Sequence, residues 1–477
     1  MKLSELLAAN LGSLDADVTR VTDDSRLVQP GDVFVLDSRL GPKPAEYIAM
    51  ARSKGARLIV ADPALAGPGI HVAENPGLIL SRWAKHTFPR QPQYVTGVTG
   101  TNGKTSVAWF VRELAMLTAH KAASIGTLGL YVGCDKVKDL GYTSPRAWEL
   151  HQTLTELADS GVSHTCMEVS SHALALARAD GVSFVGAGFT NLSPDHRDFH
   201  GTMENYFMAK QRLFTELLPA AKTAVVNISR PEGMIIAAMS KKCGHDLLTV
   251  GASSAELVVK VLAAESSGLV LNIKFDRLNE EIKVPLMGRF QGENLAVALG
   301  LAMASGIRLA DTVAVLPKLA GVPGRMEVVR GPHTQPTVVV DYAHTPDALE
   351  VALNAIRPQV QGKLWVVFGC GGNRDKAKRP QMGKIAADLA DEVVITDDNP
   401  RFEDAATIRA EIAAAAPRAH VVGDRTKAIA FALEKAAAND VILLAGKGHE
   451  SGQIIAGETI PFDDRDVARK LLASEAA

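Results

Sequence analysis

Tyr94-Val95-Thr96-Gly97-Val98-Thr99-Gly100-Thr101-Asn102-Gly103-Lys104-Thr105-Ser106 joins an apolar run to a helical pattern that continues to about Ala119. A strand that feeds a helix through a glycine-bracketed turn is a phosphate-binding device. Its glycines let successive backbone N–H groups point inward, the helix N-terminus adds positive potential, and Lys104 reaches the terminal phosphates. The Thr105 hydroxyl is placed for Mg2+. Gly100, Thr101, Asn102, Gly103, Lys104, Thr105 and Ser106 are therefore the expected nucleotide contacts, though such a loop alone does not separate a ligase from a kinase or a switch GTPase. The spacing is not the general G-x-x-x-x-G-K-T, whose first glycine would fall on Val98; Gly97 and Gly100 flank that slot. The plain alternative is a glycine-rich turn with a chance lysine, and the strand before and helix after argue against it.

Outward from this loop, strand-like runs at 165–169, 183–190 and 224–227 alternate with helical segments, the pattern of a parallel sheet with crossover helices. Between Leu257 and Pro285 the pattern becomes short and β-rich, which predicts an antiparallel appendage, and 292–304 reads as a helix. Upstream, 33–36 and 58–61 read as strands around a helix at 45–54, and Phe88-Pro89-Arg90-Gln91-Pro92 reads as a linker. Downstream of Gly321-Val322-Pro323-Gly324, strand candidates at 337–340, 364–368, 392–396 and 441–445 predict a doubly wound α/β domain, with helices at 405–415 and 427–437. A chain of 477 residues, at roughly 150 per domain, holds about three domains. The expected fold is α/β: a small N-terminal α/β domain (1–88), a central P-loop ATPase domain with a mostly parallel sheet and a small antiparallel part (89–322), and a C-terminal doubly wound, Rossmann-like domain (323–477).

Composition excludes several function classes. A formal net charge of -2 offers no basic field to nucleic acid or anionic membrane, and 5% aromatic residues give little base-stacking surface. Cys134, Cys166, Cys243 and Cys370 are widely spaced, which predicts neither a disulfide framework nor a zinc knuckle and fits a reducing cytoplasm. No run of about 20 uncharged apolar residues predicts a membrane span, and Met1 to Asn10 does not read as a signal peptide.

Met167-Glu168-Val169-Ser170-Ser171-His172 ends one strand candidate and Asn191-Leu192-Ser193-Pro194-Asp195-His196 the next. Groups at strand ends face the crevice outside a parallel sheet. Glu168 and His196 are thus candidate Mg2+ ligands near the terminal phosphate. Either alone reads equally well as a cap or surface residue. His196 and His200 form H-x-x-x-H, but no glutamate follows the first histidine and a phosphate loop is already present, so a zinc site is rejected.

The loop variant Thr99 to Thr105 resembles that of the Mur ligase superfamily, which includes folylpolyglutamate synthases and cyanophycin synthetases. The resemblance runs over nearly the whole chain: Asp24-Ser25-Arg26, Thr143-Ser144-Pro145, 168–172, 195–200, Gly324-Arg325-Met326-Glu327, 340–346, 368–375, 398–401 and 446–450, all in family order. It implies ATP-dependent ligation. ATP phosphorylates a carboxylate, an amine attacks the acyl phosphate, and phosphate leaves. The match is nearest to ligases that add meso-diaminopimelate to the D-glutamate side-chain carboxylate of UDP-N-acetylmuramoyl-L-alanyl-D-glutamate. It implies that Lys210 is carbamylated and joins Thr105, Glu168 and His196 as metal ligands for two Mg2+ ions. Lys104 and Arg325 would share charge neutralisation; Asn294, Arg325, Asp341 and His344 would meet ATP. Asp23, Ser25, Thr143, Ser144, Ser170 and Arg178 would hold the UDP-muramoyl dipeptide. A monomer acting in the cytoplasm is expected.

Diaminopimelate carries an ammonium and a carboxylate at its far stereocentre. Glu450 and Asp398 offer acids for the first; Arg401 and Arg374 offer planar forks for the second. Asn399, Pro400 and Gly446 complete this expected site. Lysine lacks the distal carboxylate, so a buried Arg401 would lose its partner and reject it. The resemblance also makes the Asp398-Asn399-Pro400-Arg401 run a mark of diaminopimelate enzymes. The chain departs from the family at 39–46, at Ser144, Leu176 and Asn373, and at Asn227-Ile228-Ser229; binding of the UDP substrate is expected to survive these changes. The alternatives are a lysine-adding ligase, a catalytically inactive nucleotide-binding homologue and a folate polyglutamate ligase.

Overall fold

The computed structural model describes residues 1–8, 15–41, 43–265, 267–332 and 334–474. Pro42, within the departing 39–46 run, lies outside them. The first elements are α1 (Leu3–Leu7), β1 (Val21–Thr22), β2 (Val33–Leu36), α2 (Pro44–Ser53), β3 (Leu58–Ala61), β4 (Ile70–Val72) and α3 (Gly77–Thr87). The strands form a parallel sheet in the order β1-β2-β3-β4. Val33, Phe34, Val35 and Leu36 are all buried, so both faces of β2 are covered.

Next come β5 (Tyr94–Thr99), α4 (Lys104–Leu117), β6 (Ala122–Gly126), β7 (Gly129–Val132), β8 (Asp135–Lys138), α5 (Ala147–Asp159), β9 (His164–Glu168), α6 (Ser171–Ala175), β10 (Gly186–Phe189), α7 (Arg197–His200), α8 (Met203–Arg212), β11 (Thr223–Asn227), α9 (Pro231–Lys242) and β12 (Asp246–Gly251). These strands run in the order β12-β11-β10-β5-β9-β6-β7-β8. Neighbours from β12 to β6 are parallel; β7 and β8 add antiparallel at one side. The β6-β7-β8 hairpins have no counterpart among the sequence-based strand candidates. Their small, charged and glycine residues give a weak apolar alternation, and pairing to β9 supplies the order.

The β-rich stretch is antiparallel, as expected: β13 (Leu257–Glu265), β14 (Gly268–Phe275) and β15 (Leu278–Val284) pair in sequence. Then follow α10 (Gln291–Ala304), α11 (Leu309–Val315), β16 (Glu327–Val329), β17 (Thr337–Asp341), α12 (Pro346–Ile356), β18 (Leu364–Phe368), α13 (Lys378–Leu389), β19 (Glu392–Ile395), α14 (Ala405–Ala413), β20 (His420–Val421), α15 (Arg425–Lys435), β21 (Val441–Ala445), β22 (Gly452–Ile455), β23 (Glu458–Pro461) and α16 (Asp464–Ser474). The last large sheet has the order β16-β17-β21-β18-β19-β20, parallel except for the edge pair β16/β17.

Two compact units contain these elements: 1–257 with 293–312, and 258–292 with 313–477. In the first, Val98, Phe110, Met167, Phe184 and Phe189 are buried around the central sheet. In the second, β17, β18 and β21 carry fully buried apolar runs between two helical layers. The β13–β15 hairpins belong to the second unit, where Gln359 Nε2 donates to the Glu265 carbonyl (2.8 Å) and Gln359 Oε1 accepts from Gly288 N (2.7 Å).

Candidate active site

The phosphate loop leaves the carboxyl end of β5, whose sheet neighbours are β9 on one side and β10 on the other. Connections diverge there, so the loop lies in the crevice of a doubly wound sheet. Gly103 has φ +87°, which favours glycine, and a Cβ on it would fall 2.2 Å from Asn294 Oδ1, so that side chain would have to shift. This contact brings Asn294, from the first turn of α10, to the loop. Lys104 Nζ donates to the carbonyls of Gly100 (3.0 Å) and Thr101 (2.8 Å). The segment after β10 braces the loop. Asn191 Oδ1 accepts from Asn102 N (3.0 Å), Thr190 Oγ1 donates to the Asn102 carbonyl (2.7 Å), and Tyr206 OH lies 3.1 Å from Thr101 Oγ1. Ser106 is buried in the first turn of α4.

Glu168 is the last residue of β9 and is 1% exposed. Its carboxylate accepts from Thr127 N (2.7 Å) and from Thr105 Oγ1 (3.0 Å). A carboxylate and a hydroxyl in contact are hard oxygen donors, a fit for Mg2+ rather than for a thiophilic metal. Lys210, on α8, is also 1% exposed and donates to the Gly100 carbonyl (2.7 Å). Burial and the nearby Lys104 push its pKa well below the usual lysine value, with Asp195 opposing. Such an amine surrenders its proton readily. His196 has φ +50° and precedes α7; its ring meets His172 edge-on at 4.7 Å and Tyr206 at 5.9 Å between centroids. His200 Nε2 lies 3.0 Å from Ser171 Oγ, and burial and neighbouring cations lower its pKa to about 4.

Expected substrate residues surround Glu168. Ser144 Oγ donates to the Glu168 carbonyl (2.9 Å) and accepts from Ser170 N (3.0 Å). Ser170 Oγ caps α6 by accepting from Ala173 N. Thr143 Oγ1 is 3.2 Å from Thr127 Oγ1, and Arg178 Nη1 donates to the Ser144 carbonyl (3.4 Å). Asp23 holds Arg146 Nη1 at 3.0 Å and lines one crevice with Leu40, Leu176 and Arg178. Ser25 is buried beside Asp24. The departing Leu176 thus lies beside residues that the sequence assigns to substrate.

Asp341 ends β17 and accepts from Met326 N (2.8 Å) and Ala343 N (2.9 Å). Burial raises its pKa while Arg325 opposes. The Arg325 guanidinium stands 5.0 Å over the Tyr342 ring, and His344 Nδ1 is 2.9 Å from the Tyr342 carbonyl. The loops after the adjacent strands β21, β18 and β19 gather the remaining candidates. Arg401, φ +54°, is half-buried and donates through Nη1 to the Gly372 carbonyl (2.9 Å). Glu450 Oε2 accepts from Asn399 Nδ2 (3.0 Å) and Lys447 Nζ (3.1 Å). Asp398, Asn399, Pro400 and Gly446 are buried there; Arg374 is exposed on the β18 loop.

Residues 98–302 match the Mur ligase middle domain and 324–448 the Mur ligase glutamate ligase domain. The chain is 42% identical over 474 residues to the UDP-N-acetylmuramoyl-L-alanyl-D-glutamate--2,6-diaminopimelate ligase of Agrobacterium fabrum, covering 99% of this chain and 96% of that one. It belongs to the Mur ligase family. A relative of the same name in Zymomonas mobilis is 44% identical over 453 residues, covering 94% and 93% of the two chains. A solved structure of a ligase of that name superposes with TM-score 0.74 at 32% identity, covering 100% of this chain and 99% of that one. Folylpolyglutamate synthase from Thermotoga maritima shares the fold at TM-score 0.62, 16% identity and 77% coverage of this chain.

This Mur ligase also uses residues that sequence reading passed over. Thr190, Asn191 and Tyr206 brace the loop, and Thr127 supplies two hydrogen bonds to Glu168. Lys447, fully buried, joins Asn399 to Glu450. Its one sequence signal was a charge between glycines directly after an apolar strand. Arg425 and Asp464, both with fully buried side chains, form a two-bond ion pair behind it.

Proposed function

We propose that this chain adds meso-diaminopimelate to the D-glutamate side-chain carboxylate of UDP-N-acetylmuramoyl-L-alanyl-D-glutamate, hydrolysing ATP to ADP and phosphate, for peptidoglycan synthesis in the cytoplasm. The observation that carries the reading is the half-buried Arg401 beside Asn399, Glu450 and Asp398, in a chain similar over nearly its full length to ligases of that name. Residues 1–88 would take the UDP end, 89–322 the ATP, and 323–477 the amino acid. Lys104 and the start of α4 (103–106) would bind the phosphates, while the Thr101 and Asn102 N–H groups are held by Asn191; Asn294, Arg325, Asp341 and His344 would complete the nucleotide contacts. Asp23, Ser25, Thr143, Ser144, Ser170 and Arg178 would hold the UDP-muramoyl dipeptide.

Glu168, Thr105, His196 and the carbamate of Lys210 would hold two Mg2+ ions, which supply neutralisation of charge on the transferring phosphoryl group. The neutral Lys210 amine, favoured by its burial, is the form that captures CO2. The protein's own share would be positioning of the reacting groups.

The test is phosphate release by the purified protein with ATP, the UDP-muramoyl dipeptide and a panel of amino acids. Release dependent on meso-diaminopimelate and not on lysine is expected; release with lysine alone, or none with any amino acid, refutes the reading. Arg401→Ala is expected to lose on the order of 100-fold of its preference for diaminopimelate over lysine, about the cost of one charged hydrogen-bonded contact. Unchanged preference would refute the assignment of this choice to Arg401.

A further inference from the structure

Behind the expected amino-acid site lies a buried lysine that the reading above does not use. Lys447 is 0% exposed. Its Nζ is 3.1 Å from Asn399 Oδ1, 3.1 Å from Glu450 Oε2 and 3.8 Å from Asp398 Oδ1. Asp398 Oδ1 is buried and, among the described residues, accepts no hydrogen bond. Arg425 and Asp464 cancel each other next to it, and Arg425 also donates to the Ala445 carbonyl (3.0 Å). Burial raises the Asp398 pKa while Arg425 and Lys447 oppose it, so its charged form lacks one further cation. A buried carboxylate oxygen without a hydrogen-bond donor matches one incoming ammonium.

We propose that Lys447 is a positioning residue for the amino-acid substrate: it neutralises one acid of the pair, fixes Asn399 and Glu450 between the β19 and β21 loops, and leaves Asp398 Oδ1 to receive the substrate's distal ammonium. The proposal rests on the diaminopimelate reading. Without Lys447 the Asp398 carboxyl loses a cation that opposes the upward push of burial, so it takes up a proton more readily in place of the substrate ammonium. The substrate's two charged ends then have unequal hosts: Arg401 still answers the distal carboxylate, but the acid side no longer presents a fixed single charge.

K447M removes the charge at similar length, and K447Q removes the charge while keeping a shorter, neutral donor. The experiment measures KM for diaminopimelate, ATP and the UDP substrate, the pH profile of kcat/KM for diaminopimelate, and the thermal midpoint of each protein. Both variants are expected to raise KM for diaminopimelate tenfold or more, to hold the other two KM values within twofold, and to move the acidic limb of the profile to higher pH. An unmoved limb with unchanged KM for diaminopimelate overturns the proposal. So does a parallel rise in all three KM values, or failure of both variants to fold at low temperature, either of which makes Lys447 a scaffold residue only. A wild-type protein without diaminopimelate-dependent phosphate release sinks the functional reading itself, and is distinguished by occurring before any substitution is made.

Discussion

Lys210 occupies a place where an ammonium is costly: nearly sealed from solvent, 4.3 Å from the Tyr206 ring centre and near a second lysine. Its chemistry as a proton-poor amine follows from that placement. Lys210→Ala is expected to lower kcat by on the order of 100-fold or more, the scale for losing one transition-state charge partner. KM for ATP should change little, and wild-type activity should fall when CO2 and bicarbonate are scrubbed. Steady-state rates and the 13C signal of a carbamate check this; full activity of the alanine variant would end the carbamate reading. Gly126 makes a different demand. A Cβ there would lie 2.1 Å from Glu168 Oε1, so Gly126→Ala must displace the carboxylate. A loss of about 1–3 kcal/mol in stability, typical of overpacking, and a drop in kcat are expected from melting curves and rate measurements. Lys104 and Thr105 were legible in the sequence because their spacing in a loop defines their task. Gly126 was not, since only the pairing of β6 with β9 brings it to Glu168.

At the scale of elements, β9 carries an acid at its carboxyl end and a histidine at its start. His164 stacks on Tyr94 at 4.6 Å and lies 4.3 Å from the His120 ring; its Nε2 is 3.2 Å from the Ser305 carbonyl. Burial, with His120 adding to it, lowers its pKa to about 4. The unfolded chain takes up this proton near pH 6.5, whereas the folded chain resists until about 4. Stability therefore rises with pH between these values and is lost as pH falls through them. His164→Gln is expected to soften the fall in melting temperature between pH 6.5 and 4; an identical fall in both proteins would refute this. Element positions such as β2, β3 and β21 were readable because buried parallel strands are continuous apolar runs with polar flanks. The β6-β7-β8 hairpins and β20 were not, because their sequences are short, polar or glycine-rich and their order comes from partners distant in the chain.

At the scale of the whole molecule, each compact unit encloses its own apolar core, and a chain of this length rarely unfolds as one two-state system. Calorimetry is expected to give a calorimetric enthalpy larger than the van't Hoff enthalpy, and ATP at about 100-fold above its dissociation constant should add about 2.7 kcal/mol of stability. One two-state transition with equal enthalpies would contradict this. Among the described residues, no helix is long and apolar enough to cross a membrane.

The sequence by itself determined the α/β class, the phosphate loop, and the strand ends that carry Glu168, Asp398 and Gly446, because apolar periodicity and glycine placement act over neighbouring residues. Tertiary structure alone decided that Thr127 and Thr105 orient Glu168, that Asn191 and Tyr206 brace the loop, and that Lys447 lies buried between Asn399 and Glu450. It also grouped the β13–β15 hairpins with the C-terminal residues. These are contacts between segments tens of residues apart, and a hydrogen bond or an ion pair leaves no period in the chain that forms it.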